Sequence, residues 1–109
     1  MPNKNYQRGR AFEYRVKNEL EKFGFIVLRT SGSHGFSDLV ALKDNVVYFM
    51  QLKYGAKITT KEKDKMYYIM QDYAWNNSIK FFVVHGVPYK GKTFYELTPN
   101  NTLRAQEIR

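Results

Sequence analysis

Phe12, Val16, Leu20 and Phe23 recur three and four residues apart. This is the spacing of one helix face, so the stretch from about Arg8 to Phe23 is predicted to form an amphipathic helix. Gly24 follows at the position where a glycine ends a helix. The pattern then changes to a continuous apolar run, Phe25-Ile26-Val27-Leu28, expected to be a first, mostly buried strand. Thr30 to Gly35 is rich in Ser and Gly and reads as a loop. Two apolar runs between about Ser37 and Lys53 are separated by Asp44-Asn45, a pair suited to a two-residue primed turn, which predicts a β-hairpin.

After a connection from Tyr54 to Thr60, the apolar positions Met66, Ile69, Met70 and Tyr73 predict a second helix reaching about Trp75 and closed by Asn76-Asn77. Thr59 or Thr60 can cap it, and Glu62 lies three residues after Thr59, as in a capping box. Lys80-Phe81-Phe82-Val83-Val84 is apolar enough for a central strand. Val87 to Lys92 reads as a loop, Thr93 to Leu97 as a last strand, and the residues beyond Pro99 as a polar tail. The order α-β-β-β-α-β-β gives an α/β fold, a mixed five-stranded sheet flanked by two helices, in one domain over residues 1–109.

The hairpin gathers the chemistry. Side chains alternate faces along a strand, so Gln51 and Lys53 point the same way. If Asp44 and Asn45 form the turn, Lys43 faces Val46, and counting back sets Asp38 directly opposite Gln51. A carboxylate, an amide oxygen and an ammonium then share one face. A turn one residue longer would send Asp38 to the other face.

Charge adds a partner. The chain has 109 residues and a net charge of +8, with a pI near 9.7, a balance that favours a polyanion such as nucleic acid. Arg8, Arg10, Arg15, Lys17 and Arg29, with Lys57, Lys61, Lys63 and Lys65, are candidates for backbone phosphate contacts, which position nucleic acid without reading its sequence. There is no cysteine, and His34 and His85 are too far apart to make a zinc site, so disulfides and Cys-ligated zinc are excluded. No apolar run approaches the roughly 20 residues of a membrane span, and Pro2-Asn3-Lys4-Asn5 lacks a signal-peptide core. An intracellular, cytoplasmic protein without membrane contact is expected.

The chain resembles the archaeal-type Holliday junction resolvases, a branch of the restriction-endonuclease-like PD-(D/E)xK nucleases. The likeness runs through Arg8-Gly9, Glu13, Gly24-Phe25, Arg29, Ser31-Gly32-Ser33, Asp38-Leu39-Val40-Ala41, Gln51-x-Lys53 and Phe94 to Pro99, spanning residues 8–99. The resemblance implies a restriction-endonuclease-like fold and Mg²⁺-dependent cleavage of branched DNA, with Mn²⁺ a possible substitute. By it, Asp38 is the principal metal ligand and the Leu52 main-chain carbonyl a second. Gln51 can add its amide oxygen, and Glu13 completes the site directly or through water. Lys53 orients the attacking water or neutralises the phosphate, and as an ammonium between carboxylates it serves better as an electrostatic stabiliser than as a base. Ser31, Ser33 and His34 join the DNA-contacting set, and a homodimer is expected because two opposed junction strands need two active sites.

Three positions depart from the family pattern. Gln51 stands where the family has Glu, Ser37 where it has Pro, and Tyr14 where it often has Arg, with Arg15 next. The first removes a negative charge from the metal set. Other small nucleases of this superfamily, acting on flapped, nicked or linear DNA, and a DNA-binding module that has lost catalysis remain competing readings. The aromatics of the second helix, Tyr67, Tyr68, Tyr73 and Trp75, fit core packing or a subunit interface better than base stacking.

Overall fold

Gly24 adopts a left-handed backbone, φ 91°. Its N–H reaches the Glu21 carbonyl at 3.0 Å, and the N–H of Phe25 reaches that of Leu20 at 3.1 Å. These paired bonds satisfy the last carbonyls of helix α1 (Lys4–Lys22) and turn the chain into strand β1 (Ile26–Arg29). A computed structural model describes residues 4–30, 35–73 and 77–108. After β1 come β2 (Leu39–Lys43), β3 (Val46–Tyr54), α2 (Thr60–Tyr73), β4 (Ile79–Val87), β5 (Gly91–Leu97) and β6 (Leu103–Gln106). The strands form one sheet in the order β1-β2-β3-β4-β5-β6.

Every neighbouring pair is antiparallel except β3 and β4, which run parallel with α2 as the crossover between them. Consequently β4 is covered on both faces and can be apolar throughout. Phe82 and Val84 join α1's Phe12, Val16 and Leu20 in one core. Phe81 and Val83 join Met66 and Met70 of α2 in the other. No helix among the described residues is long and apolar enough to cross a membrane.

Several expectations are corrected. The sheet has six strands, not five, because the polar tail turns at Asn101 (φ 59°) and returns as β6 alongside β5. An exposed edge strand shows no apolar alternation, so its sequence reads as a tail. Strand β1 is an edge strand, not a mostly buried one. Val27 is buried beside α1, while Ile26 and Leu28 are 64% and 56% exposed on the opposite face. Helix α1 begins at Lys4 rather than near Arg8, and Phe23 lies beyond its end, exposed. Tyr73 is 59% exposed and outside the core stripe of α2, and Trp75 and Asn76 fall outside the described residues.

Candidate functional site

The hairpin turn forms as its residue types require. Asp44 and Asn45 take φ values of 53° and 66°, and Lys43 pairs with Val46. The ladder is regular back to Leu39 opposite Met50. Beyond that point it departs from the expected register. The ladder ends there: Asp38 lies in a bend before β2, and its N–H bonds the Met50 carbonyl at 2.8 Å. Asp38 is therefore not simply opposite Gln51.

Ser37 makes this departure possible. It is only 6% exposed, and its hydroxyl accepts the Met50 N–H (3.1 Å) while donating to the Leu39 carbonyl (2.6 Å). One side chain thus stands in for ladder bonds where the strand has not yet begun. The freed Asp38 carboxylate swings to β3, where Oδ2 accepts the Leu52 N–H at 2.9 Å. Because the N–H and C=O of one strand residue point to the same neighbour, the Leu52 carbonyl is directed toward the Asp38 side as well.

Gln51 and Lys53 share one side of β3. Met50 and Leu52 belong to the α1-side core, so alternation sends Gln51 and Lys53 toward α2. The Lys53 ammonium confirms this by pairing with Glu62 of α2, Nζ to Oε2 at 3.0 Å. His85 sits beside Lys53 in the β3–β4 register. Glu62 is the reciprocal partner of Thr59 in the capping box. Its N–H goes to the threonine hydroxyl (3.1 Å), and its Oε1 accepts the Thr59 N–H (3.0 Å).

On the other side of the sheet, Glu13 of α1 is held by Arg29, with Nη2 and Nε reaching Oε2 at 2.9 and 3.3 Å. Arg29 also donates to the Tyr14 hydroxyl (3.2 Å) and lies over its ring, 4.7 Å from the centroid. Arg10 flanks the same ring at 5.8 Å. A hydrogen bond from Arg10 and the charge of Arg29 lower the Tyr14 pKa.

Charges converge on Asp38. Burial raises its pKa; the Leu52 N–H opposes the shift, the negative charge of Glu13 adds to it, Lys53 opposes it and Glu62 adds to it. Burial also acts to raise the Glu62 pKa, yet the bonds from Thr59 and Lys53 outweigh it and the pKa falls below the ordinary carboxylate value.

The structure therefore brings Asp38, Gln51, Leu52 and Lys53 to one end of the hairpin, with the charge of Glu13 reaching Asp38 from α1. Of the basic residues, Arg10 and Arg29 belong to the Tyr14 cluster beside Glu13. Arg15 instead packs over the Phe12 and Tyr54 rings at 5.7 and 5.4 Å. Arg8, Lys57, Lys61 and Lys65 are exposed. Lys17 pairs with Glu21 (3.1 Å), and Lys63 bonds the Asn101 carbonyl (2.7 Å). Ser31, Ser33 and His34 fall outside the described residues. In the sequence Ser37 stands only as a departure from the family pattern and Glu62 only as a cap. Nothing there marks the Ser37 hydroxyl as a partner of the Met50 and Leu39 main chain or links Glu62 to Lys53.

The sequence pattern of one family, described as archaeal Holliday junction resolvase (Hjc), matches residues 4–101. A curated relative, crossover junction endodeoxyribonuclease Hjc of Methanocaldococcus jannaschii, is 37% identical over 67 residues, 62% of this chain. The matched part spans 45% of that relative's length. Among solved structures, Archaeoglobus fulgidus Hjc, a Holliday junction resolvase from an archaeal hyperthermophile, superposes with a TM-score of 0.65. That match covers 81% of this chain and 76% of the other at 19% identity, a likeness of fold.

Proposed function

Because the chain belongs to the archaeal Holliday junction resolvase (Hjc) family, we propose that it is a divalent-metal-dependent endonuclease that cuts phosphodiester bonds at four-way DNA junctions. The observation that carries this reading is the open end of the hairpin. Asp38 is half-buried there and its carboxylate accepts the Leu52 N–H, with Gln51 and Lys53 on either side of Leu52 on β3.

The donor set fits a hard cation. The Asp38 carboxylate, the Leu52 carbonyl and the Gln51 amide oxygen would hold Mg²⁺ or Mn²⁺, and Glu13 would join them once Arg29 turned to a phosphate. When bound, the ion supplies an activated water and offsets phosphate charge. Gln51 brings an oxygen but no charge, so affinity is weaker than a glutamate there would give. Burial raises the Asp38 pKa, and proton competition with the cation follows. Lys53 orients the attacking water and stabilises charge that builds on the phosphate. Arg8, Arg10, Arg29 and Lys57, with Ser31, Ser33 and His34 of the loop before β2, hold the DNA backbone. A DNA substrate implies an intracellular location.

A homodimer completes the reading. Ile26 and Leu28 of β1 pair in register with Leu42 and Val40, which pair with Val47 and Phe49. This apolar strip lies on the sheet face opposite α1, beside the region where α2 packs on β4. An exposed apolar face of this kind fits a second copy of the chain.

The test is cleavage of a four-way junction with and without Mg²⁺, alongside a linear duplex of the same sequence. Cutting of the junction only, stopped by chelation, is expected. Tight binding to the junction without any metal-dependent cutting would instead favour a module that has lost catalysis.

A further inference from the structure

Gln51 brings an amide oxygen but no charge to the hairpin, and Lys53 lies two residues further along the same face. A carboxylate from another element occupies that neighbourhood. Glu62 Oε2 bonds the Lys53 ammonium at 3.0 Å, while Glu62 Oε1 is held by the N–H and the hydroxyl of Thr59, each at 3.0 Å. With both oxygens engaged, the carboxylate is fixed at the first turn of α2 rather than free to swing in solvent. That position also favours a negative charge, because the helix dipole is positive there. The β3–α2 connection thus brings an acid to a strand that has none of its own.

We propose that Glu62 is a positioning residue for Lys53, supplying from α2 the negative charge that Gln51 lacks and holding the ammonium where it meets the scissile phosphate. The proposal rests on the nuclease reading above. A purely structural ion pair would have the same distance, so the two roles must be separated by charge rather than by contact. Glutamine at position 62 can still serve the capping box, since that motif accepts Glu or Gln at this place. Glu62→Gln therefore removes the charge while keeping the helix start.

The experiment is a double-mutant cycle of wild type, Glu62→Gln, Gln51→Glu and the combination, read as kcat and KM for junction cleavage in Mg²⁺. Melting temperatures are measured on the same samples. Loss of kcat by about 10–100-fold is expected for Glu62→Gln, the range seen when a partner behind a ligand is removed, with KM and melting temperature little changed. Gln51→Glu added to that variant restores most of the rate, and alone it gains far less, so the two changes are strongly non-additive. Full or increased activity in Glu62→Gln, or no recovery in the combination, overturns the positioning role. Should Glu62→Gln lose its fold, the cycle is run with Glu62→Asp. That change keeps the charge but is too short to reach Thr59 and Lys53 together, so it tests the hold on the ammonium, and an unchanged kcat overturns the positioning role. A wild-type protein that cuts no junction overturns the nuclease reading, whereas a wild type that cuts and a Glu62→Gln variant that cuts equally well overturn this inference alone.

Discussion

Asp38 sits in a conflict between function and stability. Its carboxyl is held up in pKa mainly by burial, with the carboxylates of Glu13 and Glu62 adding to the effect. A group whose pKa is higher in the folded state than in the unfolded one weakens the fold above the unfolded value, near 3.9 for aspartate, and the weakening disappears in acid. Asp38→Asn keeps an oxygen for the Leu52 N–H, so it should abolish cleavage while leaving junction binding in place. The same variant should melt higher than wild type at pH 7 and equally at pH 3, which circular dichroism reads directly. Ser37→Ala removes both an acceptor for the Met50 N–H and a donor to the Leu39 carbonyl in a buried place. A loss of about 1–3 kcal/mol in denaturant unfolding is expected, the cost of leaving a buried polar group unpaired. Cleavage should fall with it, because the bend that aims Asp38 loses its clasp. The shared face of Gln51 and Lys53 was legible in the sequence because strand alternation fixes it. The place of Asp38 was not, since it depends on one hydroxyl replacing ladder bonds, a tertiary event with no periodic signature.

Among the elements, the helices were the most legible. The α1 stripe and its glycine stop, and the Thr59–Glu62 box of α2, are local signals that the fold keeps. Strand β1 misled because four apolar residues in a row look alike whether a strand is central or at an edge. Strand β6 was missed because exposure on both faces leaves its pairing with β5 no hydrophobic mark. The join between α1 and β4 depends on Gly86 in a way the sequence does not reveal. A Cβ there would lie 2.5 and 2.6 Å from the Phe12 ring and 3.0 Å from Tyr54, rings that also support Arg15. Gly86→Ala is expected to cost about 1–3 kcal/mol through overpacking, measured as a lower denaturation midpoint with unchanged slope.

The molecule as a whole combines a net charge of +8 with an apolar edge at β1, where Ile26 and Leu28 are exposed beside the half-buried Val40 and Leu42. Charge was readable from composition, whereas the apolar face emerges only when β1, β2 and β3 are laid side by side. Ile26→Glu with Leu28→Glu changes exposed side chains only, so the fold should persist. If a second copy covers this face, sedimentation shows a monomer and junction cleavage drops sharply. A double variant that stays dimeric would place the interface elsewhere.

Spatial order equals chain order in this sheet, and β2–β3, β4–β5 and β5–β6 each meet across a short turn. Such pairings close cheaply and early. One seam is different: β3 and β4 meet only after the whole of α2 has crossed between them. Folding kinetics should therefore be governed by that crossing, with two quickly formed halves waiting for a single long-range encounter.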